Sequence, residues 1–189
     1  MIQHPISLSD STIKQALEAI SLRVPRRLIT RPELQDPSRR IDYLFRAYPE
    51  GKEAPDDQPG ILLHKFVSSD EKERLHSHPW KWAYSFILDG TYLEHRSKQD
   101  SNKTTIPGYV TFGERQERVF KPGDINLLTD QDYHRVEIIS SEVWTLFLHG
   151  PRCQEWAFAD EKYGEASPLQ MISARTFKVL GEVGTAKIE

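Results

Sequence analysis

The stretch LHSHPWKWAYSFILDG, residues 75–90, decides how the chain is read. His76 and His78 stand one residue apart, just ahead of an apolar run from Ala83 to Leu88 that stops at Asp89-Gly90. On an extended chain alternate side chains share a face, so the two imidazoles point the same way and reach one small target. Pro79, which has no N–H to give a ladder, interrupts the alternation. Asp89-Gly90 reads as a tight turn, with Thr91 to Arg96 returning as the hairpin partner of Ala83–Leu88.

Further strands lie on both sides. Arg118 to Lys121, a Pro122-Gly123-Asp124 turn and Ile125 to Leu128 lead through the loop TDQDY into His134–Ile139, where His134, Val136 and Ile138 share one face. Val143 to His149 is another strand, closed by Gly150-Pro151. Towards the N-terminus, Ile41–Tyr48 and Gly60–Val67 are strands separated by GKEAPDDQP, a loop by its glycine, prolines and acids. His64 alternates with Leu62 and Phe66 and is expected to be buried and hydrogen-bonded. Short strands recurring with turn signals predict an all-β sandwich or barrel.

The flanks are of a different kind. Leu8 to Leu22 is predicted to be an amphipathic helix carrying Ile13, Ala16, Leu17 and Ile20 on its apolar stripe and capped by Ser9 or Asp10. Val24-Pro25 ends it. Pro25 to Arg40, proline-broken and basic, is read as a solvated arm over the barrel. The expected organisation is an N-terminal helix and arm over residues 1–40, a barrel over 41–160, and an extension over 161–189 with a last strand near Thr176–Leu180.

With 189 residues the chain is long enough to bury a substantial core. Charged residues make up 28% and the net charge is −3, which argues against a nucleic-acid or membrane footprint. A single cysteine, Cys153, excludes an intrachain disulfide framework and fits a reducing compartment. No apolar region follows Met1 and no run approaches the ~18 residues of a membrane span, so a soluble, cytoplasmic protein is expected.

The spacing around the histidines resembles that of the cupins, whose first motif is G(X)5HXH(X)3-4E(X)6G and whose second is G(X)5PXG(X)2H(X)3N. Laid on this chain, the first falls on Asp70, His76, His78, Ala83 and Gly90, and the second on Gly123, Thr129, Gln131, His134 and Ile138. Every gap is kept, and five of the ten anchors keep their residue: His76, His78, Gly90, Gly123 and His134. Over residues 60–158 the resemblance implies a cupin-type jelly-roll barrel, a homodimer, and one divalent metal on His76, His78 and His134. The main departure is the motif glutamate, which falls on Ala83, or on Trp82 at the shorter gap, neither of them a ligand.

Imidazole suits iron, zinc, nickel and copper, and three facial histidines leave positions open for water or substrate. A site without the carboxylate carries less negative charge and leaves its cation more electrophilic. Among cupins this pattern is similar to the thiol dioxygenases and some diketone-cleaving dioxygenases, which implies Fe(II), with Zn or Ni as the other candidates, and a small-molecule substrate.

Glu94, four residues past Gly90, is read as an added ligand, as the acceptor that orients a ligating histidine, or as a solvent-facing strand residue. His95 then faces the other way. Trp80 and Trp82 are core aromatics or a pocket wall; Trp82 and Tyr84, with Arg152 as a carboxylate clamp, are the candidate substrate contacts. No residue is assigned a catalytic proton transfer. Three classes of function remain: a mononuclear metal oxygenase, a metal-independent isomerase or epimerase with a histidine base, and a non-catalytic ligand-binding barrel. Converging imidazoles favour the first two, and an epimerase predicts a histidine paired with a carboxylate.

Overall fold

The computed structural model describes residues 10–32, 39–72, 74–100, 109–160, 166–171 and 179–182. One helix, α1 (Asp10–Ser21), precedes the strands β1 (Arg26–Pro32), β2 (Arg40–Ala47), β3 (Gly60–Phe66), β4 (Arg74–His76), β5 (Trp82–Asp89), β6 (Tyr92–Lys98) and β7 (Tyr109–Thr111). Then follow β8 (Gln116–Phe120), β9 (Ile125–Thr129), β10 (Asp132–Ile138), β11 (Val143–His149), β12 (Ala157–Asp160), β13 (Ala166–Met171) and β14 (Val179–Glu182). They form two seven-stranded sheets, ordered β14-β1-β2-β3-β11-β5-β9 and β7-β13-β12-β4-β10-β6-β8. The pairings are antiparallel throughout, and the two sheets fit a jelly roll.

Alternation sets the core. On β5, Ala83, Ser85 and Ile87 are buried while Tyr84 is 39% exposed. Ile87 and Val143 of the first sheet meet Tyr92, Phe120 and Val136 of the second in one cluster. That meeting corrects the hairpin expected at Asp89-Gly90: β6 pairs with β10 and β8, and β5 with β11 and β9. Ile87 and Tyr92 bury against each other only if the turn carries the chain from one layer to the other. Gly90 makes the crossing at φ +79, and a Cβ there would lie 2.2 Å from the Glu142 carbonyl oxygen. The Pro122-Gly123-Asp124 turn crosses layers in the same way, between β8 and β9.

The basic segment read as an arm holds a strand instead. Seven residues of β1, Arg26–Pro32, pair with β2, and β14 closes on β1 from the C-terminal side. In α1, Leu17 with Ile13 packs on Ala47, Leu63 and Trp144 on the outside of the first sheet. The apolar stripe is narrower than predicted, because Ala16 is exposed and Ile20 is 50% exposed. Lys65 ties the helix down through Glu18 and Glu142, and Lys14 reaches Glu142 at 2.7 Å. The loop before β10 is shorter than read, since Asp132 Oδ2 accepts from the Thr129 N–H and hydroxyl, each at 2.7 Å, and starts the strand. Of the predicted last strand, residues 176–178 lie outside the described residues, as does Ser9.

Candidate metal centre

The second sheet supplies the histidines. β10 lies between β4 and β6, and its register sets His134 directly opposite His76. Residues opposite each other across antiparallel strands share a face. His78 follows His76 by two, so alternation returns it to that face just past the end of β4. The three rings are buried, with centroids 4.6 to 5.2 Å apart, and their ligand nitrogens lie within 4.8 Å of one another.

The surroundings aim the nitrogens. Glu94 on β6 is opposite Val136, diagonal to His134. Its Oε1 accepts from His134 Nδ1 at 2.7 Å and from Asn126 Nδ2 at 2.7 Å, while Oε2 pairs with Arg96 at 2.7 Å. An ionised carboxylate only accepts, so the His134 proton sits on Nδ1 and the Nε2 lone pair turns to the other histidines. His76 has a similar companion: Asp70 Oδ2 lies 3.8 Å from its Nδ1 and accepts from the Val136 N–H at 2.6 Å. Tyr43 donates to Asp70 Oδ1, which anchors the carboxylate from the opposite sheet.

Burial keeps two of the imidazoles neutral. It pushes His76 down to about 4, with Asp70 pulling the other way, and holds His78 well below the ordinary value, helped by His134 and His76. Burial pushes Glu94 up, but the hydrogen bonds and charges of His134 and Arg96 outweigh it and hold the carboxyl at about 2. His76 and His78 are therefore uncharged at neutral pH, the form in which imidazole binds a metal.

These residues fit a metal ion. His78 Nε2 and His134 Nε2 are 2.8 Å apart. Two imidazole nitrogens, each about 2.1 Å from one cation and roughly at right angles, are about 3 Å apart. His78 Nδ1 is buried without a hydrogen-bond partner among the described residues, so no competing acceptor turns that ring away. Glu94 is not in the cluster that can hold the ion. Of its three readings, the orienting acceptor agrees with the geometry; at 3% exposure it does not face solvent. Ala83 packs with Leu62, Leu128 and Phe147 and leaves the motif-glutamate position apolar.

The cluster opens on a cavity of about 400 Å³ between the sheets. Trp80 stacks on His78 at 5.6 Å, and Trp156 lies 5.0 Å from His78 and 5.8 Å from His76. Arg152 lines the same cavity and pairs with Glu155 at 2.6 Å. Trp82 and Tyr84 are not among the residues that line it. With Ala83 and Ser85 inward, they fall on the outer face of β5, where Trp82 packs beneath Gly150. Trp80, two residues beyond His78, is the pocket wall, and its place in the sequence beside the histidine pair was the signal for it. The roles of Asp70, Asn126 and Trp156 were missed: Asn126 and Trp156 come to the site from distant segments, and Asp70, six residues before His76, stands at the motif's glycine position, which carries no ligand role.

His64 is buried as expected, its Nε2 accepting from Arg46 at 3.1 Å. His95 does turn away, towards Glu117 and Glu137. Cys153 is exposed with a thiol raised by desolvation and Asp130, the opposite of an activated nucleophile.

Similarity to known proteins is confined to structure. No family model and no curated protein matches the sequence. A cupin superfamily protein from Desulfitobacterium hafniense DCB-2 is 13% identical with a TM-score of 0.38, covering 57% of this chain and 77% of its own. Oxalate decarboxylase from Lactobacillus farciminis is 12% identical at TM-score 0.38, over 53% of this chain and 26% of that one. The CENP-C cupin domain of Drosophila melanogaster is 11% identical at 0.39, over 60% and 71%. No activity passes from them to this chain, whose chemistry rests on its own residues. No helix among the described residues is long and apolar enough to cross a membrane.

Proposed function

We propose that the chain is a mononuclear, dioxygenase-like metalloenzyme acting on a small organic molecule, with His76, His78 and His134 holding one ferrous ion. The observation that carries this is the buried three-histidine cluster at the wall of an aromatic-lined cavity. Ferrous iron bound there supplies a Lewis-acidic, redox-active centre for substrate and O2. Glu94 holds the His134 tautomer, Asp70 steadies His76, and three neutral ligands leave the cation its full charge towards an anionic group. Trp80 and Trp156 exclude water on the cavity side.

The test is elemental mass spectrometry on protein purified without a chelating tag, for the wild type and the His76→Ala/His134→Ala variant. Near-stoichiometric iron lost in the variant, with O2 uptake on thiols or diketones, is the expected result. No metal in either protein, even after reconstitution, would sink the reading.

A second reading has one observation in its favour. The His134–Glu94 contact is the histidine–carboxylate pair that a metal-independent isomerase needs for its base. Against it, Glu94 is also engaged by Arg96 and Asn126.

A further inference from the structure

The cavity holds four arginines, and they are not alike. Arg27 pairs with Glu53 at 2.7 Å, Arg152 with Glu155 at 2.6 Å, and Arg74 reaches Glu71 at 3.6 Å. Arg46 has no carboxylate partner among the described residues. Its Nε donates to His64 Nε2 and its guanidinium acts on the Tyr48 phenol, a neutral neighbour and not an anion.

Arg46 sits opposite His64 on β3 and opposite Arg27 on β1, so two cations adjoin on the inner face of the first sheet. His64 lies 5.1 Å from Phe147, which in turn lies 5.7 Å from His78. One aromatic ring thus links the Arg46–His64 pair to the histidine cluster. Four acids also line the cavity: Glu53 and Glu71 meet Arg27 and Arg74, Asp70 is committed to Tyr43 and the Val136 N–H, and Asp56 forms no ion pair with Arg46. A partly buried guanidinium beside a second cation is costly unless an anion reaches it. Its planar fork matches a carboxylate with two parallel hydrogen bonds.

We infer that the molecule bound in this cavity is a small carboxylate with an apolar body, its carboxylate held by Arg46 and its body lying against Phe147, Trp80 and Trp156. This rests on the functional reading above, since the anion is taken to be the substrate of the same cavity. It places the clamp on the first sheet, in a residue other than Arg152, whose charge Glu155 already engages.

The test uses two probes on the full chain loaded with zinc: 4-fluorobenzoate and its neutral isostere 4-fluorobenzamide, followed by fluorine NMR. The wild type should bind the carboxylate roughly tenfold or more tightly than the amide. Arg46→Gln should abolish that preference and Arg46→Lys should keep part of it, with zinc content and near-ultraviolet circular dichroism unchanged. Equal binding of the two probes, binding of neither, or a preference that survives Arg46→Gln overturns the inference. Zinc bound in full with no carboxylate preference would refute the clamp and leave the metal reading intact. An Arg46-dependent preference in a protein that takes up no zinc would do the reverse.

Discussion

Glu94→Gln is the substitution that best separates an oriented metal site from three histidines that merely pack together. Glu94 is buried, and its two oxygens meet His134 Nδ1, Asn126 Nδ2 and the Arg96 guanidinium, all at 2.7 Å. Its carboxyl is held at about 2 against an ordinary 4.5, which corresponds to roughly 3 kcal/mol favouring the charged form in the folded state. Glutamine keeps the shape, one acceptor oxygen and part of the Asn126 contact. Among the described residues Asp132, at 3.9 Å, is the carboxylate that remains to Arg96. We expect the metal-free variant to lose about 2–3 kcal/mol in urea denaturation. Without the anionic acceptor the His134 tautomer is no longer held, and zinc affinity, read by competition with a chromophoric chelator, should fall about 10- to 100-fold. Glu117→Gln is the control: it removes a carboxylate that meets His95 on the outer face and is 54% exposed, so neither quantity should move much. Zinc affinity in Glu94→Gln within twofold of the wild type would refute the orienting role, whatever happens to stability.

Two further perturbations test the frame around the site. Gly90→Ala should cost roughly 2–4 kcal/mol, since alanine must adopt φ +79 and place its Cβ 2.2 Å from a backbone oxygen; an unchanged urea midpoint would mean that the turn does not cross between the sheets as described. Metal-free protein should lose stability as the pH falls. His76 has a folded value of about 4 against 6.5, so between those limits the unfolded chain takes a proton that the folded one refuses. That contribution, roughly 3 kcal/mol, is complete above pH 6.5 and gone by about pH 4, with His78 acting in the same direction. Stability flat across this window would show that the histidines are not buried in the neutral form.

What could be read from the sequence was whatever is local. His76 and His78 share a face because extended chain repeats every two residues, and β3, β5 and β11 fall within a residue or two of their expected limits for the same reason. His134 was found only through the spacing of a known motif, because nothing within its own strand distinguishes it from a core histidine. The hairpin misreading at Asp89-Gly90 has a physical origin: a turn that reverses the chain in one sheet and a turn that passes it to the facing sheet use the same residues. What tells them apart is where Ile87 and Tyr92 bury, which is a long-range fact. Asn126 and Arg46 act on residues far along the chain, Asp70 is held in place by Tyr43 and the distant Val136 N–H, and the types of all three are as common on solvated surfaces.

The division between the sheets has a consequence for how the site can vary. His76, His78, His134 and Glu94 all belong to the second sheet or its margin, and their register is set by strands of that sheet, β4, β10 and β6 with β12 and β8 on either side. Arg46, His64 and Phe147 come from β2, β3 and β11 of the first sheet, where their pairing partners are unrelated to the metal ligands. Phe147 and the Tyr43–Asp70 hydrogen bond are among the places where the two meet. A change on the first sheet can thus alter what the cavity accepts while the ligand geometry stays put. The exception is Tyr43→Phe: by releasing Asp70 from the first sheet it should loosen His76, and with it metal affinity. Measured beside Arg46→Gln, it distinguishes coupling through Asp70 from coupling through the bound anion. The first should weaken zinc binding in the absence of any carboxylate, and the second only in its presence.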